Sequence, residues 1–101
     1  MAQVKIGTIS DVKSGESKLI SIKEKALALF NIDGKFFVID NTCLHKGGSL
    51  AQGKVDGCFV TCPLHGWRYD ITDGKCVLPG ANLRLNSYKV SIKEKDIFIE
   101  L

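Results

Sequence analysis

Histidine is scarce in this chain, with two residues among 101. Long apolar runs are missing as well: no stretch could span a bilayer, and Met1-Ala2-Gln3-Val4-Lys5-Ile6 shows neither a signal-peptide core nor twin arginines. These absences predict a soluble cytoplasmic protein with no membrane partner. Lysine and arginine total 14 and the net charge is +3, but the basic residues are spread along the chain. Without a basic block or an aromatic-interleaved stripe, nucleic acid is not expected as a partner. Adjacent glycines occur at Gly47 and Gly48, yet no Gly-x-Gly-x-x-Gly or P-loop surrounds them. No repeat, linker or low-complexity tract is visible. The length predicts one domain, residues 1–101, with no room for a second site such as a flavin or a mononuclear iron centre.

A long helical period is also absent. Short apolar runs alternate with Gly, Asp and Asn turns, which predicts an all-β domain of about ten strands, a sandwich or small barrel. The expected strands begin at Val4–Ile6, Leu19–Ile22 and Ala26–Asn31, with Lys23-Glu24-Lys25 as a turn. Asp33-Gly34, Asp56-Gly57 and Asp73-Gly74 each sit between apolar runs and predict three hairpins, because both residues tolerate positive φ. Their flanking strands are Lys35–Ile39, Lys54-Val55, Cys58–Thr61, Arg68–Ile71 and Cys76–Leu78. Tyr88–Ile92 and Ile97–Leu101, around a polar Lys93–Asp96 turn, complete the set.

The two histidines both fall close behind a cysteine. Cys43-Leu44-His45 and Cys62-Pro63-Leu64-His65 are separated by 16 residues between His45 and Cys62. Each segment offers one thiolate and one imidazole. A single zinc could take all four donors, although zinc fingers usually pair Cys with Cys and His with His. A binuclear iron–sulfur centre accounts better for mixed segments. Each loop would then give one ligand to each iron, Cys43 and Cys62 to one and His45 and His65 to the other. Both histidines are thereby committed, so no Ser-His-Asp set remains, and no paired-carboxylate site is visible.

The wider pattern, C-L-H-K-G-G-S-L followed by C-P-L-H-G-W-R-Y-D-I, resembles the Rieske ferredoxin family over nearly the whole chain. The resemblance implies one Rieske [2Fe-2S] cluster and a Rieske-like fold, with a cluster-binding subdomain at approximately 42–79 inserted in a basal β-structure. It implies an electron carrier that is not itself catalytic. Such a carrier passes single electrons from an NAD(P)H-dependent flavoprotein ferredoxin reductase to a terminal ring-hydroxylating oxygenase, docking at the His45/His65 tip. A small subunit of an NAD(P)H nitrite reductase has a similar fold and is the second reading. A zinc-binding interaction module is the third.

Further expectations follow from the resemblance. The imidazoles would bind iron through Nδ1 and leave Nε2 at the tip, and the potential would fall with pH above the oxidised-state pKa. Gly47 and Gly48 would let backbone N–H groups approach the sulfides. Tyr69 matches a position whose hydroxyl can bond a ligand cysteine sulfur. Trp67 stands where high-potential members have a serine, and Pro79 is the candidate for a loop covering the cluster. The inter-loop disulfide of the respiratory members would fall at Gly48 and Leu64, neither of which is cysteine. Two neutral imidazoles in place of thiolates raise the potential relative to all-cysteine clusters. Without the serine and the disulfide, the lower half of the Rieske range is expected. Lys46 and Arg68 flank the ligands and could steer an acidic partner or stand simply as solvated charges. Cys58 and Cys76 are expected as small buried residues in strands, not as a disulfide.

Overall fold

The computed structural model describes residues 3–45, 47–64, 66–80 and 82–101. The expectations placed on Lys46 and His65 lie outside the described residues. Eleven strands and one 3-10 turn are present among those described. In chain order the strands are β1 (Gln3–Thr8), β2 (Ser17–Ile22), β3 (Lys25–Ile32), β4 (Lys35–Asp40), β5 (Lys54–Asp56), β6 (Phe59–Thr61), β7 (Arg68–Asp70), β8 (Cys76–Leu78), β9 (Ser87–Tyr88), β10 (Val90–Lys93) and β11 (Asp96–Glu100). The 3-10 turn is Leu50–Gln52.

The strands form three antiparallel sheets, ordered β1-β11-β10, β2-β3-β4-β9 and β5-β6-β7-β8. The middle sheet is apolar on both faces, and β3 shows why. Its residues Leu27, Ala28, Leu29 and Phe30 are all fully buried. Successive strand side chains point to opposite faces. Leu27 and Leu29 therefore join Val38, Ile97 and Ile99 on one side. Ala28 and Phe30 join Ile39, Val60, Tyr69 and Ile71 on the other. Burying each such Leu, Ile or Phe stabilises the fold by about 1.5–3 kcal/mol. The second core reaches the functional loops, since Cys43 and Cys62 belong to it.

Hairpin chemistry sets the registers. Asp33 and Gly34 have φ of 52° and 88° and link Ile32 directly to Lys35 in the β3–β4 pair. The β5–β6 hairpin differs from the expectation by one residue. Asp56 pairs with Phe59, so the turn is Gly57-Cys58. Gly57, at φ 60°, takes the first turn position, which glycine alone fills without steric cost. Cys58 is consequently exposed in a turn, not buried in a strand. Cys76 does meet the expectation, lying 1 % exposed in β8.

The expected strand Tyr88–Ile92 is two strands. Tyr88 pairs with Val38 in the middle sheet, whereas Val90 pairs with Ile99 in the outer one. The chain changes sheets at Lys89, and the apolar pattern is blind to that change. Ile92, at the end of that run, is 44 % exposed.

Candidate metal centre

Two loops at one end of the β5–β8 sheet carry the predicted donors. Each is a six-residue loop closed by an antiparallel pair. The first, Cys43 to Gly48, stands on the bridge between Thr42 and Ser49. The second, Cys62 to Trp67, stands on the Thr61–Arg68 pair of β6 and β7. Their backbones bond in the same way. The N–H of Cys43 donates to Gly48 O at 2.9 Å and that of Gly47 to Cys43 O at 3.1 Å. Correspondingly, Cys62 N–H donates to Trp67 O at 2.7 Å and Gly66 N–H to Cys62 O at 3.2 Å. The fifth residue of both loops is a glycine in the left-handed region, Gly47 at φ 73° and Gly66 at φ 76°. Cysteine is first in both loops. Histidine is third in one and fourth in the other, which is why one spacing reads Cys-x-His and the other Cys-x-x-His.

Gly48 brings the loops together. A Cβ at this position would stand 2.7 Å from Cys62 Sγ and 3.1 Å from Leu64 Cγ, so only a hydrogen fits. The backbone of one loop thus lies directly against the sulfur of the other. Cys43 and Cys62 are 2 % and 3 % exposed. His45 is exposed, with Leu44 beside it and Leu64 on the second loop also exposed.

Tyr69, at the centre of β7, is fully buried beneath the first loop. Its oxygen accepts the Leu44 N–H at 3.0 Å and lies 3.4 Å from Cys43 Sγ. With a lone pair already used by Leu44, the phenol proton is the one available to the sulfur. Burial, then the hydrogen bond to Cys43, raises the Tyr69 pKa above its ordinary value, partly offset by the Leu44 N–H. The phenol therefore stays protonated and keeps a donor aimed at the sulfur.

Trp67 does more than pack. Its ring is stacked on His45, with centroids 4.7 Å apart and planes 3° from parallel. Arg68 is held on the sheet, its guanidinium 4.8 Å from the Phe59 ring centroid and 3.6 Å from Asp56 Oδ2. That arrangement sets an acid beside the charge proposed for steering. Pro79 follows β8 through a cis Leu78–Pro79 peptide and is exposed. Leu78 pairs with Arg68, so Pro79 leaves the sheet at the end where Trp67 and the second loop lie.

Sequence reasoning missed Asn41. Its side chain is buried, and Oδ1 accepts the Ala51 N–H at 2.8 Å while Nδ2 donates to Ser49 Oγ at 3.0 Å. Its backbone O accepts the Leu50 N–H at 2.9 Å. Asn41 thereby clamps the return of the first loop. Its one sequence signal was its place two residues before Cys43, just past the expected strand Lys35–Ile39.

Two buried cysteines, one with its sulfur against the glycine of the other loop and the other facing a phenol donor, fit thiolate ligation of an iron–sulfur centre. A small antiparallel β-protein built around such loops is an iron–sulfur protein by class. The Rieske [2Fe-2S] domain family matches residues 2–89, and the chain belongs to it. Its cofactor is one Rieske [2Fe-2S] cluster. The chain is 35 % identical over 94 residues to the 3-phenylpropionate/cinnamic acid dioxygenase ferredoxin subunit of Shigella boydii serotype 4 (strain Sb227), covering 92 % of this chain and 88 % of that one. Among solved structures it resembles Sphingomonas yanoikuyae B1 ferredoxin, at 31 % identity and a TM-score of 0.91 over 99 % of both chains. It has the same fold as the ferredoxin in a complex of reduced oxygenase and oxidized ferredoxin in carbazole 1,9a-dioxygenase (24 % identity, TM-score 0.88, covering 96 % of this chain and 91 % of that one). No helix among the described residues is long and apolar enough to cross a membrane.

Proposed function

We propose that this chain is the ferredoxin component of a dioxygenase system, a cytoplasmic one-electron carrier between an NAD(P)H-dependent flavoprotein reductase and a terminal oxygenase. Cys43 and Cys62 hold one iron, and His45 and His65 hold the other. The observation that carries this reading is the Cys62–Gly48 approach together with the Tyr69–Cys43 bond, since both suit sulfur bound as thiolate. The cluster supplies one reversible one-electron couple. Tyr69 draws charge from the Cys43 sulfur and favours the reduced state. Gly48 and Leu64 close the space between the loops. With four protein ligands no coordination position is left for a substrate, so bond chemistry belongs to the oxygenase. A reductase that collects two electrons as hydride would discharge them through this carrier one at a time.

Docking at the tip is supported by its composition. Leu44, next to His45, and Leu64, on the second loop against Gly48, are 47 % and 56 % exposed. An apolar centre of this kind suits a brief contact that brings an imidazole edge to a partner. The relatives named above are ferredoxin components or subunits, which favours this reading over a nitrite reductase small subunit. Stopped-flow reduction by a flavoprotein ferredoxin reductase, followed by reoxidation by a terminal oxygenase, tests the proposal. Leu44→Asp with Leu64→Asp should slow both half-reactions about tenfold, equivalent to about 1.4 kcal/mol, with the spectrum of the cluster retained. Unchanged rates would place docking elsewhere.

A further inference from the structure

We propose that Trp67 is a positioning residue for His45, fixing the plane of its imidazole from across the gap between the loops. The proposal rests on the reading of His45 as an iron ligand. Trp67 is anchored at its own end: its carbonyl accepts the Cys62 N–H at 2.7 Å, and its half-buried side chain packs against the inner core. From there the indole reaches the other loop and lies flat on His45, 4.7 Å between centroids and 3° from parallel.

The geometry decides what such a contact can do. The imidazole nitrogens lie in the ring plane, with their lone pair or N–H directed outward along it. A neighbour stacked on the face leaves both edges available, one for a metal and one for solvent or a partner. It also opposes rotation about the Cβ–Cγ bond, a broad torsion for histidine. His45 is exposed and third in a tight loop, so an independent support for its plane matters. A Phe ring could supply the same flat contact, but a branched aliphatic chain of similar bulk could not.

The stack also joins the two loops. Gly48 and Leu64 occupy the positions where a disulfide would have linked them, and neither can form one. The indole of Trp67 against His45, with Leu64 over Gly48, makes two cross-loop contacts without a covalent bond.

Trp67→Phe and Trp67→Leu separate a ring-specific role from simple filling of space. Each is prepared with its cluster anaerobically, and three quantities are read on the reduced protein: the midpoint potential, the g-tensor, and the ligand-nitrogen couplings by pulsed EPR. In Trp67→Leu one of the two histidine nitrogen couplings should at least double in spread, the g-values should broaden and the midpoint should shift. Trp67→Phe should return all three to wild-type values. Wild-type couplings and potential in Trp67→Leu, or equal departures in both variants, would overturn the proposal. Trp67→Met, apolar and without a ring, carries the same comparison if the leucine variant does not fold. Absence of a Rieske-type signal from the wild-type protein would instead overturn the ligand reading, and is distinguishable because it does not depend on residue 67.

Discussion

Leu64 of the second loop lies over Gly48 of the first, so close that a Cβ on Gly48 would be 3.1 Å from Leu64 Cγ and 3.2 Å from its Cδ1. The same Cβ would meet Cys62 Sγ at 2.7 Å. Leucine can yield, but a sulfur held in a cluster, as proposed for Cys62, cannot. Gly48→Ala should therefore cost about 1–3 kcal/mol of stability and lower iron and sulfide content per chain. Adding Leu64→Ala should restore only part of the loss, because the contact with Cys62 remains. Iron and sulfide analysis beside denaturant unfolding of the single and double variants checks this.

Tyr69→Phe removes the proton directed at Cys43 Sγ while keeping the ring in the core. A bond of this kind contributes on the order of 1 kcal/mol, equivalent to roughly 40 mV for a one-electron couple. The sign follows from charge: the donor stabilises the more negative, reduced state. The midpoint should fall by about that amount, measured by redox titration, with the cluster retained. A midpoint that rose or stayed constant would remove Tyr69 from the tuning of the site.

Asn41→Ala should destabilise the first loop without touching a ligand. It leaves the Ala51 N–H without its acceptor and removes the bonds to Ser49. Losing the partners of a buried polar group costs about 1–3 kcal/mol. Hydrogen exchange should show faster opening at Ala51 and Ser49 than in the wild type, with the β1-β11-β10 sheet unaffected.

Tyr88 gives a pH dependence. Burial, and then its 2.6 Å hydrogen bond to Asp40, pushes its pKa from 10.0 up to about 12. Between those values the unfolded chain has released the phenol proton and the folded chain still holds it. Stability should therefore fall as pH rises from about 10 towards 12 and be unaffected by this group below that window. Tyr88→Phe should flatten part of the decline. Tyrosinate absorbance against pH and unfolding curves across the window measure both effects.

The family and its cluster were legible because they depend on residue type and spacing: two cysteine–histidine segments, a tyrosine in the following strand, a glycine pair. Turn residues with positive φ made Asp33-Gly34 equally readable. Contacts made only by tertiary approach were not. Nothing in the sequence brings Trp67 onto His45, because the stack depends on how two loops face each other. The switch of sheets at Lys89 was hidden for a similar reason, since both strands are apolar in alternation and only pairing separates them. Cys58 was misplaced by a single residue of turn register, enough to move it from the strand to the exposed turn. Asn41 drew no attention because the groups it clamps come 8–10 residues later.

The proposed ligand set is Cys43, His45, Cys62 and His65, holding a Rieske cluster that works as a one-electron couple. It is tested most directly by a potentiometric titration followed by EPR on anaerobically prepared protein. A rhombic signal should appear on reduction, with an average g below that of all-cysteine clusters and a midpoint in the lower half of the Rieske range. His45→Cys and His65→Cys should each abolish that signature while Cys58→Ser leaves it intact. Iron-replete protein that gives no such signal, or a signal that survives loss of either histidine, would contradict it.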